Sequence, residues 1–367
     1  MLPKLPKVQK APDQVVLLTT FLLLSIGIVM VYSSSAVIAS GLGDSFYFTK
    51  RQLLFAGVGL FLMFLTMNIH YSFWQRWAWV ALWSCSGLLA LVLLLGKEVN
   101  GAKSWFGFAG FGIQPAEFGK MALILFLANW FAKHQQEMTS FRKGLLTPLS
   151  ITFLMLGFIL LQPDLGTAAI VMGTVLLLMF VAGCRLIHVG GLIAGCLIGV
   201  AVLTLIAPYR VARITSFLDP WKDPWGSGYQ LIQSLYAIGP GRWFGLGLGM
   251  SRQKFYYLPE PHNDFIFSIL SEELGFVGAS MVIVLFLLLL WRGIRIAILA
   301  PDSFAGFLAI GITCLIAIQV CINISVVTGL FPVTGITLPF LSYGGSSLVL
   351  LLASIGILLN ISRYAKG

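Results

Sequence analysis

The stretch LPEPHNDFIFSILSEELG, residues 258–275, opens a long apolar segment in an unusual way. Pro259 and Pro261 stop anything helical before it, and the apolar run begins at Phe265. Yet it carries four carboxylates, Glu260, Asp264, Glu272 and Glu273, the last two about two turns inside the expected helix. Acidic side chains at membrane depth are costly, and where they occur they mark pairing or function. Whether this is a membrane helix is decided by its surroundings.

Those surroundings are apolar throughout. Hydrophobic residues make up 58% of the 367, charged residues 10%, and the mean hydropathy is +0.94. A soluble chain of this length has nowhere to hide that much apolar surface. Runs of roughly 17–25 apolar residues read as spans, and ten are found, near 15–38, 52–69, 75–96, 115–133, 145–161, 165–183, 187–207, 265–291, 303–328 and 339–361. The predicted fold is therefore all-α: a polytopic integral membrane protein with ten transmembrane helices in one membrane domain, 1–367. A long outer loop, 208–264, lies between helices seven and eight, with tails at 1–14 and 362–367. The first span is too long and too late for a cleaved signal peptide and is expected to remain as an anchor. The five cysteines fall in or at the ends of spans with no CxxC or Cys/His metal spacing, which points to core packing rather than a disulfide framework.

Orientation follows from Lys and Arg. With a cytoplasmic N-terminus the inner segments hold twelve basic residues and the short outer loops four, Lys50, Arg51, Lys97 and Lys103. That bias places both termini inside. Segment 208–264 breaks the rule with six more basic residues that topology does not need. The net charge of +10 is accounted for by topology and anionic lipid, and nucleic acid is not expected as a partner. Ten of the thirteen acidic residues fall in outer loops or the outer ends of spans, so any chemistry belongs to the outer face.

Further clusters converge there. In NGAKSWFGFAGFGIQPAEFGK, 100–120, Pro115 suits a first helical turn, and Glu117 and Lys120 share one helix face. That pair reads equally as an ion pair joining helices or as a pair facing a polar cavity. In QPDLGT, 162–167, Asp164 is placed to cap the next helix. PFLSYGGSS, 339–347, contains Ser342, a candidate substrate contact, and two glycines that permit a broken helix or close packing. Within 208–264, YQLIQSLYAI (229–238) predicts a short amphipathic helix along the membrane surface. GLGLGMSRQK (245–254) offers amides and the cations Arg252 and Lys254 to a phosphate-like anion, or simply turn chemistry. Arg210 and Arg213 add positive charge at the same surface. Carboxylates beside a basic lid suit a lipid-linked substrate carrying phosphates.

NGAKSW, QPAEFGK, QPDLGT, DPWGSGYQLIQS, LPEPHNDFIFSILSEELG and PVTGITLPFLSYGGSS resemble, in this order, the SEDS family of shape, elongation, division and sporulation proteins. The likeness covers nearly the whole chain. The short tails, RITSFLDPWKDP and SFYFTKRQLLFAG favour the sporulation branch over the division branch. The resemblance implies a peptidoglycan glycosyltransferase that polymerises lipid II, a disaccharide-pentapeptide on undecaprenyl pyrophosphate, at the outer face of the cytoplasmic membrane. It implies a class B penicillin-binding protein as partner, of the SpoVD type for spore cortex. It places the family's important aspartate on Asp264, its outer-loop tryptophan on Trp105, and its buried Glu and Lys on Glu117 and Lys120. Two departures are visible. The basic position before the tryptophan is Lys103 followed by Ser104, and Asn263 stands where threonine is common.

The expected reaction is inverting glycosyl transfer with Asp264 as general base, its pKa raised by desolvation and by neighbours such as Glu260. A simple helix-capping role for Asp264 is the competing reading. Glu272, eight residues on, is expected to line the same cavity, and Glu273 to face a neighbouring helix. Arg210, Arg213, Lys254 and Lys120 are candidates to meet the pyrophosphate, and a divalent cation such as Mg2+ or Mn2+ bridged by Asp264 is a further expectation. No organic cofactor is implied. Trp105 is expected to pack on a sugar face or to anchor at the interface. Two rival classes stay open: a flippase for the lipid-linked precursor, and a scaffold that only recruits the penicillin-binding protein.

Overall fold

The computed structural model describes residues 10–99, 102–108, 111–206 and 208–365. The chain begins α1 (Gln14–Gly41), α2 (Tyr47–Asn68) and α3 (Tyr71–Leu95), followed by strands β1 (Lys97–Val99), β2 (Ala102–Phe108) and β3 (Phe111–Ile113). It continues α4 (Pro115–Lys133), α5 (Leu146–Leu161), α6 (Leu165–Val181), α7 (Leu186–Ile206), α8 (Pro208–Leu218) and α9 (Tyr229–Ile238). It closes with α10 (Ile266–Ile298), α11 (Ser303–Val327) and α12 (Gly345–Ser362). Among the described residues eight helices are long and apolar enough to cross a membrane: α1, α2, α3, the Phe141–Leu161 stretch ending in α5, α7, α10, α11 and α12. Residues 1–9 and 366–367 of the expected tails, and Asn100 and Gly101 of the NGAKSW stretch, lie outside the described residues.

Short polar side chains set where helices start. Asp13 accepts the free amides of Val15 and Val16, Asp164 that of Thr167, and Asp302 that of Ala305, each at the head of its helix. Pro115 opens α4, where a missing N–H costs nothing. The core lies around α4 and α11: Leu123 to Ala128 are all buried, as are Phe304, Leu308, Ile312 and Ile316. In lipid, packing between helices relies on close fit rather than on hydrophobic expulsion. Gly356 of α12 is an instance, since a Cβ there would collide with Thr66 Oγ1 and the Met63 carbonyl of α2. At the other extreme α7 buries only Val189 and Thr204 and turns Leu197, Ile198 and Leu205 outward.

The first and last described segments meet at one end of the bundle. Lys10 N–H donates to the Arg363 carbonyl at 2.9 Å, and Asp13 N–H to Ser362 Oγ at 3.0 Å. Asp13 also pairs with Arg292, near the far end of α10. Asp264, just before α10 begins, is therefore a span's length away, at the opposite end.

Four features depart from the sequence expectation. The last helix begins at Gly345 and not near 339, because Pro339 and the preceding Pro332 keep the chain from 330 to 344 out of helix. The loop before α4 is an antiparallel three-stranded sheet, order β1-β2-β3. The segment 208–264 holds an additional helix, α8, and α9, which falls on the expected 229–238 but buries Leu231, Ile232, Ser234 and Ala237 against the protein. Ser234 Oγ meets Ser268 Oγ at 2.8 Å and donates to the Val327 carbonyl at 2.7 Å, which ties α9 to α10 and α11.

The fourth departure lies inside α10. Gly275 has φ 67° and ψ −165°, which splits the helix into 266–274 and 276–298. The amides and carbonyls freed by the break are taken up by the loop after α9. Leu246 N–H and Gly247 N–H donate to the Glu272 and Glu273 carbonyls at 2.9 and 3.0 Å. Phe276 N–H and Val277 N–H donate to those of Arg242 and Trp243 at 2.8 and 3.0 Å. A Cβ on Gly275 would lie 2.7 Å from Phe244 N and from the Gly241 carbonyl oxygen. Gly275→Ala is expected to cost about 1–3 kcal/mol from backbone strain alone, with more from overlap, read as a lower unfolding temperature in detergent. An unchanged unfolding temperature would mean that the break does not need glycine.

Candidate functional site

The segment 258–265 has no regular structure, so its carbonyls need partners other than helix amides. Three successive ones find them in the last third of the chain. The His262 carbonyl accepts from Tyr343 N–H at 2.9 Å, that of Asn263 from Ser342 Oγ at 2.6 Å, and that of Asp264 from Asn323 Nδ2 at 2.8 Å. Ser342 Oγ in turn accepts from Leu338 N–H at 2.7 Å. Gln52 Nε2 of α2 donates to the Ser342 carbonyl at 3.2 Å. His262, 4% exposed, lies between the rings of Phe48 and Tyr343, with centroids at 4.3 and 5.7 Å. Burial pushes its pKa down to about 4, so the ring is neutral at physiological pH.

This frame holds the backbone of Asp264 and leaves its carboxylate alone. Among the described residues no side chain or amide donates to the Asp264 oxygens, and α10 is not capped by it: Phe265 holds the capping position, without a side-chain bond. The capping alternative is thus not taken. Beside Oδ2 is Gly335, φ 71°, where a Cβ would lie 3.4 Å from the oxygen. Burial lifts the Asp264 carboxyl to about 7, the negative charge of Glu260 pushes the same way, and Arg213 pulls against them. Arg213, exposed on α8, donates to the Val333 carbonyl at 3.3 Å, which brings its charge to this recess. A group poised near neutrality beside a cation can accept a proton and help to hold an anion.

Glu272 and Glu273 have a different fate. Both are buried, and both are fully engaged. Glu272 accepts from Ser251 Oγ at 2.5 Å and from the amides of Arg252 and Gln253 at 2.9 and 3.4 Å. Glu273 takes Ser33 Oγ of α1 at 2.7 Å and Lys254 Nζ at 3.0 Å, while Lys254 Nζ also donates to the Gly249 carbonyl at 2.6 Å. Together they fasten 249–254 onto α10 and α1. This corrects the expectation for two residues. Glu272 does not share a cavity with Asp264, because its oxygens are closed over by the 251–253 turn. Lys254, 4% exposed, is consumed by an ion pair and is not offered to a phosphate. Glu273 does face a neighbouring helix. Ser342 likewise holds backbone, and is corrected from ligand contact to support of the Asp264 loop.

Glu117 and Lys120 pair at 2.7 Å in the first turns of α4, and Lys120 opens on an apolar recess among α4, α6 and α11 lined by Leu123, Ile124, Val171 and Leu315. Lys103 is exposed on β2, and the partly buried Trp105 lies over Gly112 of β3. The sheet joins the bundle where Gln114 donates to Asp164 at 3.2 Å and to Ser346 Oγ at 3.4 Å. Arg210 donates to the Leu203 carbonyl at 2.9 Å, back on α7. Asp164 caps α6, as its position implied. Sequence reading missed Asn323 and Gln319, whose signal was available: carboxamides in an otherwise apolar span are expensive unless they hold something. Among the described residues no group of three or more His, Cys, Asp or Glu is arranged to hold a metal ion.

The comparisons with known proteins agree with this architecture. Residues 13–367 match the FtsW/RodA/SpoVE family of cell cycle proteins. The chain belongs to that family. It is 56% identical to stage V sporulation protein E of Bacillus subtilis, over 97% of this chain and 98% of the relative. It is 47% identical to a probable peptidoglycan glycosyltransferase FtsW of Trichlorobacter lovleyi, over 96% and 94%. Among solved structures, a chain of a peptidoglycan synthase complex that coordinates polymerization and crosslinking superposes with TM-score 0.79 at 33% identity, covering 96% of this chain and 98% of that one. The rod shape determining protein RodA of Thermus thermophilus does so with TM-score 0.72 at 30% identity, covering 96% and 97%.

Removing Lys254 tests its reassignment. Lys254→Met strands the buried Glu273 charge and is expected to cost about 3–5 kcal/mol, seen as lost folded yield, and Lys254→Met with Glu273→Gln recovers much of it. A stable Lys254→Met whose only defect is weaker binding of a lipid pyrophosphate would return this residue to ligand contact.

Proposed function

We propose that this protein is a peptidoglycan glycosyltransferase that polymerises lipid II into glycan strands at the outer face of the cytoplasmic membrane, in the branch of the family that serves spore cortex. Family membership and the activity named for the FtsW relatives support the reaction class, and the similarity to stage V sporulation protein E supports the branch. One structural observation carries the assignment to residues: a carboxyl lifted to about 7, free of protein donors, in a loop whose backbone is pinned on three sides. In this reading α4 and α6 complete ten spans, 208–264 is the large outer loop, and both termini are cytoplasmic, in line with the bias of basic residues.

In the step itself the 4-hydroxyl of the acceptor sugar attacks the anomeric carbon of the donor. The bond from that carbon to the pyrophosphate oxygen breaks, and undecaprenyl pyrophosphate leaves with the electron pair. Asp264 takes the hydroxyl proton. Arg213, with Arg210 on the same helix, offsets charge on the leaving pyrophosphate. Lys103 and Trp105 serve the sugar–phosphate end of a substrate, Trp105 by stacking, and the Glu117–Lys120 pair faces its recess as a polar wall. A magnesium- or manganese-like ion needs only one or two carboxylates when substrate phosphates complete its shell. Asp264 is the residue with oxygens to spare for it, and the ion would supply further neutralisation of the pyrophosphate. The similarity to a chain of a peptidoglycan synthase complex supports a class B penicillin-binding protein, of the SpoVD type, as partner.

The test is polymerisation of labelled lipid II by purified protein, with and without that partner, read as glycan length on a gel. Asp264→Asn is expected to fold and to lose about 10^2–10^4-fold in rate. Because the base must be ionised, wild-type kcat/KM should rise with pH up to about 7 and then level. Wild-type rates in Asp264→Asn would remove Asp264 from the chemistry. Absence of polymer under every condition would remove the polymerase reading and leave lipid II flipping to be measured in vesicles.

A further inference from the structure

α11 presents two carboxamides one turn apart, Gln319 and Asn323, 6% and 1% exposed. Both reach the non-helical segment before α12. Gln319 Nε2 donates to the Thr337 carbonyl at 3.1 Å, and Asn323 Nδ2 to that of Ile336 at 2.6 Å. The second hydrogen of the same Asn323 nitrogen goes to the Asp264 carbonyl at 2.8 Å. Both neighbours of Nδ2 are acceptors, so the amide can face them only with its nitrogen. Its oxygen Oδ1 is buried with no partner.

Both carbonyls, of Ile336 and Asp264, belong to backbone outside any helix and need a donor, and one side chain serves the two together. What Asn323 supplies, and leucine does not, is one nitrogen bonded at once to the backbone of Asp264 and to Ile336, the neighbour of Gly335. Gly335 is the residue beside Asp264 Oδ2. The amide thus sets the distance between the carboxylate and the wall it faces.

We propose that Asn323 is a positioning residue for Asp264, holding the carboxylate in register with the 335–337 wall so that it meets the incoming hydroxyl. The proposal rests on Asp264 being the proton acceptor. A misplacement of about 1 Å is enough to cost on the order of 10^2 in rate. A residue of this kind acts on kcat and leaves binding of the lipid substrate largely intact.

The experiment is a double-mutant cycle in the lipid II polymerisation assay, with full-length protein and its partner, using Asn323→Leu, Asp264→Asn and the pair. The result expected is a fall of about 10–100-fold in kcat with Asn323→Leu at nearly unchanged KM, and no further loss when it is added to Asp264→Asn. Wild-type kcat in Asn323→Leu overturns the proposal, and so does an equal factor lost in the wild-type and Asp264→Asn backgrounds. If Asn323→Leu does not fold, Asn323→Gln keeps the amide one methylene further out: reduced kcat at unchanged KM supports the proposal and wild-type kcat overturns it. Full activity in Asp264→Asn sinks the assignment of the base itself, which is distinguishable from an inactive Asp264→Asn beside an unaffected Asn323→Leu.

Discussion

A helix that breaks at membrane depth frees backbone amides and carbonyls that only the protein can satisfy. This chain breaks or delays its helices in three places: at Gly275, between 258 and 265, and between 330 and 344. Each irregular piece is then the solution for another. The loop at 242–247 closes the break at Gly275. The segment from 336 to 343, with α11, takes up the carbonyls of 262 to 264. The site is built where these mutual debts of hydrogen bonding are settled, and its position follows from them.

The same economy of donors sorts the carboxylates. Glu272 and Glu273 receive hydroxyls, amides and an ammonium, and become fixed charges that hold a loop to two helices. Asp264 receives donors only at its backbone, so burial acts on its side chain unopposed except by Arg213. Environment, not residue type, separates the carboxylates tied into the fold from Asp264, whose oxygens take no donor among the described residues.

Much of this was legible in the sequence. Hydropathy and length located the eight long apolar helices, and capping chemistry placed Asp164. Proline marked 258–264 as a stretch that no helix continues through, whereas 339–344, read as the start of the last span, lies outside the helix. What the sequence does not disclose is pairing at long range. Lys254 looks like an available cation beside glycines, yet its partner Glu273 is nineteen residues on and its second contact, Ser33, is at the other end of the chain. Ser342 and Glu272 were grouped with the ligand site for the same reason: proximity to Asp264 along the chain or motif says nothing of which way a side chain turns. The strands at 97–113 escaped because glycines and aromatics in a short loop carry no clear period.

The ionisation of Asp264 is the most direct point of contact with experiment. Difference infrared spectroscopy of wild type against Asp264→Asn, in lipid nanodiscs across a pH series, isolates the carboxyl band of this one side chain. A protonated carboxyl that persists until pH about 7 is the expected result. A carboxylate already ionised at about pH 4, where ordinary aspartates titrate, would contradict it, and with it the description of the recess as a place that raises a base to neutrality.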